Sequence, residues 1–338
     1  MRLIALADLA VAVSAAGGLG FIGAGSDISL LASELDKTKS LLSSLPTTLQ
    51  AHDGVLPVGV GFLCWGLTPT DVTSLISAPG TRPAAVWLFA PRELSHLADW
   101  SAEIRKATEG QTKVWIQVGT VAEALAAVEY AQPDVLVVQG QDAGGHGLTK
   151  GSGLVPLLPE VTASVARLCS SKGLSVPTYV AAGGIMEGSG MAGALTLGAQ
   201  GVCLGTRFLA AKEANVAKGY QESVIRARDG GVSTIRSSVY DTLRGTTQWP
   251  PHYGGRGIVN DSYHDWENGM SLEQNKKLYE EALSKGDEGW EEGRGRLTAY
   301  AGTGVGLVTQ VQSAAAIVEE VREGAIAALK RTWEAVQG

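Results

Sequence analysis

Residues 135–147, VLVVQGQDAGGHG, run an apolar strand directly into a glycine-rich turn that carries one histidine. Val135, Leu136, Val137 and Val138 show no polar alternation, the pattern of a parallel strand covered on both faces. Gln139 is the first side chain able to fork hydrogen bonds toward a planar ligand. Gly140, Gly144, Gly145 and Gly147 then permit positive φ and close backbone approach, so that amide groups can line a concavity and His146 can face into it. Taken alone, the segment also reads as a tight loop whose histidine caps a neighbouring helix. A strand covered on both faces needs helices on either side, and that requirement sets the reading of the flanking sequence.

Short apolar strands are expected at 19–22, 56–62, 85–89, 113–118, 135–138, 178–181 and 201–204. Alanine-rich helical patterns fit between them, at 8–16, 28–42, 70–77, 95–109, 121–130, 157–171 and 189–197. This alternation predicts parallel β/α units, and the α/β class with a TIM (β/α)8 barrel is the expected architecture. A barrel needs eight strands and seven are found, because the chain opens on a helix. Residues 1–6 offer only a ragged first strand, with Arg2 and brevity against it. The expectation is a barrel lacking its first strand, through alternative initiation or a misplaced start, with exposed backbone at the gap.

Residues 212–299 turn toward charge, tyrosine, tryptophan and glycine, with TTQWPPHYGGRG at 246–257. They read as a subdomain of helices and a long loop over the active-site end, where Trp249, His252 and Tyr253 wall a pocket. Val311, Ala315, Val318, Val321 and Ile326 stand near helical spacing, so the barrel is assigned to 1–211 and 300–338 with a closing helix.

The chain has 338 residues, 34 acidic and 27 basic side chains, and a net charge of −7. No basic cluster marks a nucleic-acid track. No apolar run reaches the roughly 18 residues that span a bilayer, Asp8 interrupts the first apolar stretch, and a cytoplasmic location is expected. Cys64, Cys169 and Cys203 read as small buried hydrophobes in a reducing compartment. Homo-oligomerisation is left open.

Gly18, Gly20 and Gly23 match GxGxxG, but they follow a helix and lead into a strand, the reverse of the dinucleotide order. Helix capping and the start of a strand explain them better. Two other glycine groups end strands: Gly183 and Gly184 after TYVAA, and Gly205 with Thr206 after GVCL. The last two strand ends of a barrel commonly build a phosphate site, and that is the reading taken over two ordinary turns. Arg207 adjoins the second group or turns into an ion pair. His52, His96, His146, His252 and His264 show no metal-ligand spacing, so no metal is expected. There is no GxSxG elbow, and Asp142 reads as a residue that orients the turn.

The segments VAVSAAGGLGFIGAG, LPVGVGF, VQGQDAGGHG, AAGGI and LGTRF, in this order from about residue 9 to 209, and then GTGVGLVTQVQSAAAIVEEV at 302–321, resemble the nitronate monooxygenase family, formerly called 2-nitropropane dioxygenases. The resemblance implies a TIM barrel with noncovalent FMN, its phosphate near Gly183, Gly184, Gly205 and Thr206, and Cys64, Cys203 and Leu204 among the residues that hold the cofactor. Gln139 and Gly144 match positions that touch the flavin. His146 matches the base that takes the α-proton of a neutral nitroalkane or steadies a nitronate. The implied reaction is oxidation of an alkyl nitronate by dioxygen to a carbonyl compound and nitrite. Family members begin with an extra strand ending in an Ala-Pro-Met turn against the flavin, and this chain starts at or just beyond that turn. Cys64 stands where members often carry an amide that touches the cofactor. Two other readings stay open: an NAD(P)H-dependent FMN reductase acting on enoyl thioesters, and a flavin-free binding protein.

Overall fold

The computed structural model describes residues 3–46 and 53–338. His52, and the first two residues of the doubtful strand at 1–6, lie outside them. Seven parallel strands form the main sheet: β1 (Phe21–Gly25), β2 (Val55–Leu63), β3 (Arg82–Phe89), β4 (Lys113–Val118), β5 (Val135–Gln139), β7 (Thr178–Ala182) and β8 (Gly201–Cys203), in the spatial order β1-β2-β3-β4-β5-β7-β8. Helices α1 (Ala7–Ala15), α2 (Leu31–Ser43), α3 (Pro69–Ile76), α4 (Leu97–Ala107), α5 (Val121–Ala131), α6 (Leu154–Lys172) and α7 (Gly188–Thr196) alternate with the strands. Residues 3–6 form a turn, not a strand; Ala5 accepts a hydrogen bond from the Gly23 amide and Ile4 one from Asn215.

The sheet is curled in the TIM-barrel manner. Phe21 on β1 and Trp115 on β4 have ring centroids 5.2 Å apart, whereas strands three apart in a flat sheet would be separated by about 14 Å. Phe21, Trp87, Trp115, Val137 and Val180 fill the enclosed face, while Leu136, Val138, Ile116 and Val60 point outward against the helices. Residues 135–138 are apolar throughout because the strand's two faces meet these two cores. Helix starts are signalled in sequence: Thr68 and Asp71 form a reciprocal capping box on α3, and Thr120 caps α5.

The glycines at 18 and 20 serve helix–strand packing. Gly18 donates to the Val13 carbonyl at the end of α1, and a side chain on Gly20 would lie 2.0 Å from the Ala10 carbonyl oxygen. Gly20→Ala should therefore destabilise the protein by about 1–3 kcal/mol, the usual cost of overpacking. Urea unfolding checks this; a midpoint equal to that of the unsubstituted protein would show that the contact relaxes freely.

After β8 comes a short helix, α8 (Thr206–Leu209), and then an excursion containing α9 (Lys218–Arg226), α10 (Gly230–Ser233), α11 (Val239–Arg244), α12 (Asp261–Glu267) and α13 (Leu272–Ser284). It differs from the expected helices and loop by two strands, β9 (Thr234–Ser237) and β10 (Tyr253–Ile258). These join β6 (Gly145–Leu148) in an antiparallel sheet of order β6-β10-β9, with His146 opposite Gly255. His146 is thus on a strand, not on a free turn. The closing helix α14 (Ala314–Gln337) packs on α7 so closely that a side chain at Gly188 would meet the Gly324 backbone at 2.2 Å. Among the described residues no helix is long and apolar enough to cross a membrane.

Candidate active site

The turn between β5 and β6 is held from several sides. Gly140 donates to the Ala182 carbonyl on β7, and Gln141 to that of Ser152. From β9, the Arg236 guanidinium donates to the carbonyls of Ala143 (2.8 Å), Gly145 (3.0 Å) and Gly254 (2.6 Å). Arg256 on β10 adds a bond to the Gln141 carbonyl at 3.3 Å. Burial, with Arg256 nearby, brings the Arg236 pKa down to about 10. The guanidinium still carries its charge at neutral pH and ties the carbonyls of Ala143 and Gly145 at the β5–β6 turn to that of Gly254 on β10.

This bracing presents His146. Its Nε2 lies 2.9 Å from both carboxylate oxygens of Asp241, and the two side chains are 13% and 8% exposed. Asp241 also accepts hydrogen bonds from Thr246 Oγ1 and from the Tyr300 hydroxyl, each at 3.0 Å. Burial, and then the neighbouring Asp241, push the Tyr300 hydroxyl far above the ordinary tyrosine range, so it remains a donor. Trp249 stacks flat on the imidazole, with centroids 3.8 Å apart and planes 4° apart. Trp249 in turn approaches Trp65, Phe89 and Tyr253 at 5.5–6.0 Å, an aromatic wall beside the histidine. His252 instead lines an outward cleft with Glu123, Tyr130 and Arg92.

The remaining expected residues separate into groups. Gly183 and Gly184 have φ of +104° and +75°, and side chains there would strike Gly140 and Asp142, so this pair packs against the β5–β6 turn. Gly144 meets Gly302 in the same way, at 2.4 Å. At Gly205, by contrast, no atom lies within 4 Å of where a side chain would begin. Thr206 Oγ1 accepts a bond from the Gly302 amide at 2.9 Å, and Thr303 donates to Asp142 from both its amide and its hydroxyl, so the 302–303 segment ties the β8 end to the turn. Arg207 turns away toward Gln312 and Glu320. Cys203 belongs to the enclosed face, and burial pushes its thiol up to about 11. Leu204 and Cys64 side chains sit in the sheet–helix core; burial pushes the Cys64 thiol up to about 12, so it stays protonated. No group of three or more metal-ligating side chains occurs among the described residues.

Sequence reasoning did not single out Asp241, Tyr300, Arg236 or Gln117. Gln117 on β4 accepts a hydrogen bond from Trp87 Nε1 at 3.1 Å, and its own Nε2 is buried without a partner. That orphan donor sits on the enclosed face, one strand from Gln139. Together with the open space at Gly205, it fits a planar heterocycle bearing an anionic tail.

The sequence profile described as "Nitronate monooxygenase" matches residues 96–324. The chain is 46% identical to nitronate monooxygenase npaC of Metarhizium robertsii, over 97% of this chain and 90% of that protein. It is 37% identical to a nitronate monooxygenase of Neurospora crassa, over 98% and 89%. Its fold matches that of FabK from Thermotoga maritima (TM-score 0.69, 26% identity, 100% and 93% covered). The structure of nitroalkane oxidase from Streptomyces ansochromogenes shares the fold (TM-score 0.70, 21% identity, 98% and 94% covered).

Proposed function

The chain belongs to the nitronate monooxygenase family, and from that membership we propose that it is an FMN-dependent oxidoreductase converting alkyl nitronates, with dioxygen, into carbonyl compounds and nitrite. The single observation in the site that carries this reading is His146, fixed at Asp241 beside an aromatic wall and near the end of the enclosed sheet face. Bound FMN supplies the electron chemistry between substrate and dioxygen. Gln117 and Gln139 are the side chains available to its ring, and Gly205 with Thr206 to its phosphate. His146 acts in one of two ways: as a donor it steadies the nitronate anion, and as a neutral base it takes the carbon-bound proton of a nitroalkane. Trp249, Phe89 and Tyr253 exclude water from the apolar part of the substrate.

Two measurements test the reading. Flavin released by heat should have the mass of FMN, and the loaded protein should produce nitrite from ethyl nitronate in air; protein that stays colourless after incubation with FMN would reject the assignment. The phosphate position has its own test. Because Gly205 has open space and an ordinary φ of −103°, Gly205→Ala should leave folding stability within about 0.5 kcal/mol. It should weaken FMN binding roughly tenfold if the phosphate comes close, since a methyl group forced into a close contact costs about 1–3 kcal/mol. Fluorescence quenching of FMN gives the affinity, and an unchanged value would move the phosphate elsewhere.

A further inference from the structure

We propose that Asp241 is a positioning residue that sets the tautomer of His146, keeping a proton on Nε2 and leaving Nδ1 as the basic nitrogen. The inference rests on the reading of His146 as the base. Nε2 meets both oxygens of the carboxylate at 2.9 Å, and an ionised carboxylate can only accept hydrogen bonds. Nε2 must therefore be the donor, and in a neutral imidazole the lone pair then lies on Nδ1. The other two contacts of Asp241 agree, since Thr246 and Tyr300 both donate to Oδ1. Three donors converge on this one side chain, which leaves it the acceptor's role.

The neighbouring cations do not compete for it. Arg244, one turn further along α11, lies over the Tyr300 ring at 5.6 Å, and Arg236 and Arg256 are bonded to backbone carbonyls. Among the described residues, the ion-pair contact of Asp241 is with His146. The flat stack on Trp249 fixes the ring plane, so Nδ1 is directed away from Asp241 in one orientation.

The proton transfer then balances simply. The carbon-bound proton of a nitroalkane moves to Nδ1, the C–H electron pair becomes the second bond of the nitronate C=N, and the N=O π pair moves onto oxygen, which takes the negative charge. The ring becomes an imidazolium that keeps Nε2–H on Asp241. The carboxylate stabilises that cation and does not itself take up the proton.

The test uses the full chain. In protein labelled with ¹⁵N-histidine, with the His146 signal assigned by its loss in His146→Asn, the neutral ring should show the Nε2–H tautomer. Asp241→Asn should abolish that preference, because its amide can donate as well as accept. In the flavin-loaded protein, Asp241→Asn should slow anaerobic flavin reduction by nitroethane about 10²- to 10⁴-fold, the range for loss of a general base. Ethyl nitronate, already deprotonated, should change less than about tenfold, and Asp241→Glu should recover a large part of the nitroethane rate. A purely structural role would slow both substrates together and leave the tautomer alone. An Nδ1–H tautomer in the unsubstituted protein overturns the proposal whether or not the variants fold. So does an Asp241→Asn protein with the unsubstituted nitroethane rate while His146→Asn is inactive; if His146→Asn also keeps that rate, the base reading itself fails.

Discussion

His146→Asn should slow turnover of a neutral nitroalkane by about 10²- to 10⁴-fold, the usual range for removing a general base. Asparagine keeps a polar group against Asp241 but has no nitrogen that accepts a proton near neutral pH. The substitution is also gentle on the surroundings, because Asp241 retains its bonds from Thr246 and Tyr300. Preformed nitronate lacks the proton in question, so its reaction should fall far less. Stopped-flow reduction of the bound flavin without oxygen separates the two substrates. Near-unsubstituted rates with nitroethane would remove His146 from the base role, and equal, severe losses with both substrates would make anion binding its larger contribution.

The second large effect is structural. Arg236→Met should destabilise the protein by about 3–5 kcal/mol, because the charge-assisted bonds to the carbonyls of Ala143, Gly145 and Gly254 that brace the β5–β6 turn against β10 all disappear. Methionine of similar length fills much of the volume, so the loss reports on hydrogen bonding more than on a cavity. Lysine should recover only part of it, since one ammonium cannot reproduce the planar fork that reaches several carbonyls. Guanidinium unfolding measures the change; a cost below about 1 kcal/mol would mean that water replaces the guanidinium without difficulty.

The barrel units were readable because local pattern and tertiary role agree in them. Lys113–Val118 coincides with the strand expected at 113–118, and the unbroken apolar run at 135–138 reflects two covered faces. The small antiparallel sheet was not readable. YGGRGI carries three glycines and little intrinsic strand preference, yet Tyr253–Ile258 pairs on both sides, and Gly255 is needed because a side chain there would lie 2.6 Å from the Tyr300 ring. His146 stood out through its glycine-rich turn, whereas Asp241 is 95 residues away, in an excursion without a motif, and only the folded chain brings the two together. Gln117 did leave a signal: it shares the enclosed face with Trp115, and a polar residue at that parity could have been marked as facing the site. The flanking glycines were legible as special positions, but not the reasons for them. Gly183, Gly184 and Gly144 are required by packing between turns, while Gly205 opens onto space.

Nitronate oxidation and nicotinamide-dependent reduction would use the same barrel and flavin and differ in what reduces the cofactor. Anaerobic mixing of the flavin-loaded protein with ethyl nitronate, and separately with NADH or NADPH, distinguishes them in one instrument. Rapid loss of flavin absorbance with nitronate alone, and none of comparable rate with either nicotinamide, is the expected result. Rapid reduction by a nicotinamide, with nitronate inert, would contradict nitronate oxidation as the activity of this protein.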